Sequence, residues 1–61
     1  MDSLEFIIHV ETEGFDPHAP EQVEALQWMI DSGLIWQLQG WWQRFAYSMI
    51  KAGIVKPLRP S

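Results

Sequence analysis

The sequence contains no cysteine, which closes off two routes by which very small proteins hold together, disulfides and thiolate-bound metals. It also removes the usual mark of a secreted mini-protein, so a reducing compartment is expected. No unbroken apolar run exceeds three residues, as at Leu34-Ile35-Trp36, so no stretch has the length to span a bilayer. The N-terminal residues are acidic at Asp2 and Glu5, where a secretion signal would be basic. A glycine-rich phosphate loop and a nucleophile elbow are both missing. With 61 residues there is room for one domain. A chain of that size buries about 60% of the surface its unfolded form exposes, so its stability must come from dense packing or from a second copy.

Charge is missing from each half in turn. No base precedes Arg44 and no acid follows Asp31, so residues 1–31 carry −8 and residues 32–61 carry +4, for a net −4. Three readings fit this division: each half solvates its own outer face, the halves attract each other within or between chains, or the basic half binds nucleic acid. The last is weakest. Arg44, Lys51, Lys56 and Arg59 make a sparse phosphate track, and the acidic half would repel the same polyanion.

Candidate chemistry is equally thin. His9, Glu11 and Glu13 would align on a strand, with His18 nearby, but the spacing is not that of a zinc site and a solvated acidic run explains it. Ser3, Thr12, Ser32, Ser48 and Ser61 have only two histidines that could serve as a base. A chain this short also has little scaffold to hold a catalytic shell rigid. No catalytic residue, metal ligand or cofactor is assigned, and a non-enzyme is expected.

The patterning is mainly helical. Residues 4–10 allow two readings, a strand by alternation of Leu4, Phe6, Ile8 and Val10, or a helix with Leu4, Ile7 and Ile8 as its stripe and Asp2 or Ser3 as cap. Gly14 to Pro20 is a connection. Pro20 suits a first helical turn, Val23, Leu26, Met29 and Ile30 form a stripe, and Gly33 suits a left-handed end. Leu34–Gln39 gives a short helical turn closed by Gly40. Trp42, Phe45, Ala46, Met49 and Ile50 then mark a last helix ending at Gly53. Ile54 and Val55 are expected to fold back on the core, and residues 56–61 to fray.

The second half has a familiar look. Asp31-Ser32-Gly33-Leu34, Trp36, Leu38-Gln39-Gly40, Arg44, Ala46, Ile50 and Ala52-Gly53 resemble a family of very small, uncharacterised tailed-bacteriophage proteins with the pattern GLxWxLQG…R…AG. The resemblance covers about residues 4–55 and is specific from Asp31 to Gly53. It implies an all-helical architecture, a phage origin and the cytoplasm of a bacterial host, with no assigned activity, and it decides residues 4–10 in favour of helix. The chain departs from the pattern at Trp41, Trp42 and Gln43, where the family has a polar or small residue, a tyrosine and a glycine. Phe45 replaces a common threonine.

The resulting expectation is an all-α, three-helix domain over residues 1–55, with helices near 3–11, 20–32 and 41–52 and a helical turn at 34–39, that self-associates as a homo-dimer or higher form. Its function would be to bind and modulate a host protein. The surface assigned to a partner or a second copy is Trp28, Trp36, Trp41, Trp42, Arg44 and Phe45, since Trp, Tyr and Arg dominate interface energetics. Within that set Trp42 and Trp36 fit inward positions, while Trp28 and Trp41 fall off the stripes, so at least one is exposed. Arg44 is expected to stack on an indole or to bridge to Asp31 or Glu24. Glu11, Glu13, Asp16, Glu21 and Glu24 form an acidic face that could imitate nucleic acid toward a host enzyme. A helix-turn-helix-like nucleic-acid module and a structural phage component are the alternatives.

Overall fold

A computed structural model describes residues 2–57 of the chain. They form three α-helices, α1 (Ser3–Glu13), α2 (Pro20–Asp31) and α3 (Gly40–Lys51), with a 3-10 turn (Leu34–Gln37) between the last two and no strand among the described residues. The turn packs on both α2 and α3, and α1 packs on α2.

Residues 4–10 are helix, but the stripe is not the one expected. Phe6 and Val10 are buried and Ile7 half-buried, whereas Leu4 and Ile8 point outward. The segment is apolar on nearly every side, so periodicity alone could not select the inward face. The rings on the other elements select it: Phe6 meets Phe15 at 6.2 Å and Trp42 at 6.1 Å. α1 runs two residues beyond the expected end, to Glu13, and stops where Gly14 takes φ 90° with its N–H on the Val10 carbonyl.

α2 begins with Pro20 at its first position, where a missing N–H costs nothing, and Glu21 sits at the positive end of the helix. Leu26, Met29 and Ile30 are fully buried. Gly33, at φ 82°, turns the chain into the 3-10 segment, whose Ile35 is fully buried. Gly40 does not close that segment; it opens α3, and the Gln39 carbonyl accepts the Trp42 N–H at 2.9 Å. The Gln43 amide donates to the Trp36 carbonyl at 3.1 Å, tying the turn to α3.

α3 ends in a double-bonded left-handed cap. Gly53 takes φ 79°, its N–H bonds Ile50 O at 3.0 Å, and the Ile54 N–H bonds Met49 O at 3.0 Å. The cap turns Val55 back onto the core, where it is 4% exposed. The Gln27 side chain then grips the backbone of Lys56 from both sides: its amide accepts the Lys56 N–H at 2.7 Å and donates to the Lys56 carbonyl at 3.0 Å. The rest of the expected tail, residues 58–61, lies outside the described residues.

Two substitutions test these closures by urea unfolding. Gly53→Ala should lower stability by about 1–2 kcal/mol, the cost of a left-handed non-glycine residue. Beyond its own residue and its chain neighbours nothing lies within 4 Å of the added Cβ, so the loss is one of backbone conformation and not of space. Gln27→Ala should cost about 1 kcal/mol and speed amide exchange at Lys56. Unchanged protection there would mean that the grip does not exist in solution.

Candidate functional site

The four tryptophans divide into two pairs. Trp42 is 1% exposed and is the largest fully buried side chain. Its ring lies 4.6 Å from Trp41 in a stacked arrangement and 5.8 Å from Phe45 in a T-shaped one. Phe45 in turn meets Phe15 at 5.3 Å, so Phe6, Phe15, Trp41, Trp42 and Phe45 make one continuous set of rings joining α1, the α1–α2 connection and α3. Offset and edge-to-face pairs of this kind add about 0.5–1.5 kcal/mol beyond the area they bury. Trp41 and Phe45 are half-buried against the core, and what they offer a partner is the outer edge of a packed cluster.

Trp28 and Trp36 are the other pair, at 55% and 44% exposure. Trp36 therefore does not take the inward position its spacing allowed. In the tight 3-10 turn its neighbour Ile35 points inward instead. Trp28 stands on the outer face of α2 among Glu21, Glu24 and Asp31, beside a cleft of about 290 Å3 lined by Asp2, Ser3, Ala25 and Trp28. Arg44 is exposed. Among the described residues it neither stacks on an indole nor pairs with Asp31 or Glu24. Its guanidinium lies instead over the start of its own helix, where a Cβ at Gly40 would sit 3.5 Å from Nη1. Asp31 accepts from Gln27 Nε2 at 3.1 Å.

The expected acidic face is partly committed to the fold. Glu11 accepts a 3.4 Å bond from the Trp42 indole N–H, which anchors the buried ring to α1. Asp16 Oδ1 accepts the His18 N–H at 2.9 Å and organises the connection. Glu13 meets His9 Nδ1 at 3.3 Å. Glu21 and Glu24 are exposed on α2. The five do not make a uniform row of free carboxylates.

The His9 contact belongs to a chain of bonds that fixes a tautomer. The Asp16 N–H can only donate, so the Gln22 atom facing it at 2.8 Å is Oε1. Gln22 Nε2 is then the donor toward His9 Nε2 at 3.2 Å, which leaves the ring hydrogen on Nδ1, facing Glu13. Gln22, 7% exposed, thereby satisfies the connection and α1 together. With its two nitrogens so used, His9 points to a structural role. Among the described residues, no three His, Asp or Glu side chains come together as a metal site.

The family model described as a domain of unknown function, DUF7417, matches residues 4–59. The chain belongs to that family. No curated protein and no solved structure matches it. The DUF7417 match takes in α1, α2, the 3-10 turn and α3 together, so the ring cluster and the exposed indoles lie within the family's domain.

Some features of this surface have no signal in the sequence, and others have a partial one. Gln22 sits beside a stripe of apolar residues, where a buried amide is unexpected. Gln27 carries no pattern that announces its grip on Lys56. The outward Leu4 and Ile8, at 63% and 53% exposure, reverse the expected stripe, and the one hint of them was a helix with more apolar positions than one stripe can use.

Nitrogen-detected NMR of the imidazole should find the hydrogen of neutral His9 on Nδ1. A resting Nε2–H tautomer would contradict the bonding chain. Gln22→Ala should cost about 1–3 kcal/mol by leaving the Asp16 N–H and His9 Nε2 without a partner.

Proposed function

We propose that this is a non-enzymatic phage accessory protein that binds and modulates a host protein in the bacterial cytoplasm, and that it works as a dimer or higher homo-oligomer. The observation that carries the host-binding reading is the pair of half-exposed indoles, Trp28 and Trp36, on a chain whose other two tryptophans are packed together. Tryptophan buries 150–250 Å2 when covered, and a small domain that leaves two in water has not used them for its own core. Apolar patches set among polar residues are the common mark of a protein-binding surface.

Trp28 is the better anchor of the two. It stands beside a cleft, and Glu21 and Glu24 on the same helix give it an acidic surround. The partner surface that fits is an apolar knob ringed by lysine or arginine. Charge around such a centre sets the encounter rate and the choice of partner more than the final affinity. The phage origin comes from the resemblance in Asp31–Gly53. No helix among the described residues is long and apolar enough to cross a membrane.

The test is a tagged-protein capture from nuclease-treated bacterial lysate with three baits: the unaltered chain, Trp28→Ala and Trp36→Ala. A stoichiometric host protein whose binding falls at least tenfold, about 1.4 kcal/mol, with Trp28→Ala is the expected result. Equal capture by all three baits would remove the indole surface from the account.

A further inference from the structure

We infer that the outer face of α1 is a seat for the outer face of α3 from a second copy of this chain. The inference rests on the self-association part of the reading above and is independent of the host protein and of Trp28. Leu4 and Ile8, one helical turn apart, share the side of α1 opposite Phe6 and Val10 and are 63% and 53% exposed. Arg44, Tyr47 and Lys51 share the side of α3 opposite Trp42 and Ala46, with Tyr47 61% exposed. Each face is an apolar centre with charge around it, and the charges are opposite. α1 carries Glu5, Glu11 and Glu13 and no lysine or arginine, while α3 carries Arg44 and Lys51 and no acid.

The two sets of charge are not spent on each other inside one chain. Among the described residues the one ion contact is His9 with Glu13, within α1, and none of Arg44, Lys51 and Lys56 meets a carboxylate. The geometry of the acidic face also suits a basic side chain. A shallow, open surface on α1 is lined by Glu5, Ile8, His9, Thr12 and Glu13. A lysine or arginine can lay its aliphatic stem along Ile8 and bring its charged head to the carboxylates on the rim. On α3 such a head is already held in place, with Lys51 Nζ 5.5 Å over the Tyr47 ring. A second copy supplies base and aromatic together at that spacing, and a chain with so small a core gains stability from the contact. Two contacts related by a two-fold axis close a dimer, whereas unrelated ones continue into a ring or chain.

Charge exchange tests this by sedimentation of the whole chain. The acidic-face variant is Glu5→Lys with Thr12→Lys, which leaves the Glu11–Trp42 and His9–Glu13 contacts intact; the basic-face variant is Arg44→Glu with Lys51→Glu. Each alone should weaken self-association at least tenfold while keeping its helical circular dichroism, and an equal mixture of the two should restore it. Added salt should weaken association of the unaltered chain, since exposed charges are screened, and Trp28→Ala should leave it unchanged. If either double variant unfolds, Glu5→Lys and Lys51→Glu serve as the exchanged pair. Three results would overturn the inference: an unaltered chain that stays monomeric at every concentration, association that survives both variants separately, or folded variants that do not recombine on mixing.

Discussion

A chain of 61 residues without a disulfide takes its stability from a few large side chains, and the Trp42 indole is the largest it encloses. Complete burial of such a ring is worth about 4–6 kcal/mol at 25 cal/mol per Å2 of apolar area, as an upper bound. The ring also decides geometry. It selects which face of α1 turns inward by meeting Phe6, and it receives Glu11 of α1 on its N–H. Its position on α3 in turn places Ala46 inward and Arg44, Tyr47 and Lys51 outward.

The neighbouring Trp41 follows from the same constraint. Successive helical residues project about 100° apart, so two adjacent indoles cannot both enter a core from one helix. Trp41 lies on Trp42 as a half-buried cover and extends the ring set toward Phe45 and Phe15. The aromatic excess of LIWQLQGWWQRF is thus spent largely inside the molecule, and Trp36 is the part of it left outside. The accessible aromatic surface shifts to Trp28, Trp36 and Tyr47, on three different elements. Any partner therefore meets separate anchors, with only acids on the helix of Trp28 and only bases on the helix of Tyr47.

Helix positions were legible in the sequence because their punctuation is chemical: Pro20 at a first turn, and Gly33 and Gly53 at left-handed ends. The stripes of α2 and α3 were legible because their outer faces are polar. α1 was not, because five apolar residues among the seven from Leu4 to Val10 leave no polar side to mark the surface. The site was legible in part. Trp42 as core and exposure of at least one of Trp28 and Trp41 followed from spacing, whereas the outward Trp36 depends on a 3-10 turn whose period differs from that of an α-helix. That Arg44 meets no carboxylate among the described residues was beyond reach, because pairing depends on how the helices cross and not on the sign of the charges alone.

The division of the tryptophans is the central claim, and hydrogen exchange at the four indole N–H groups tests it most directly. Measured at a concentration where the chain is monomeric, the Trp42 N–H should exchange slowest, held by burial and by Glu11, and the Trp28 and Trp36 groups should exchange at nearly the rate of free indole. A Trp42 N–H that exchanges as fast as that of Trp28, or a Trp28 protected in the monomer, would contradict the account.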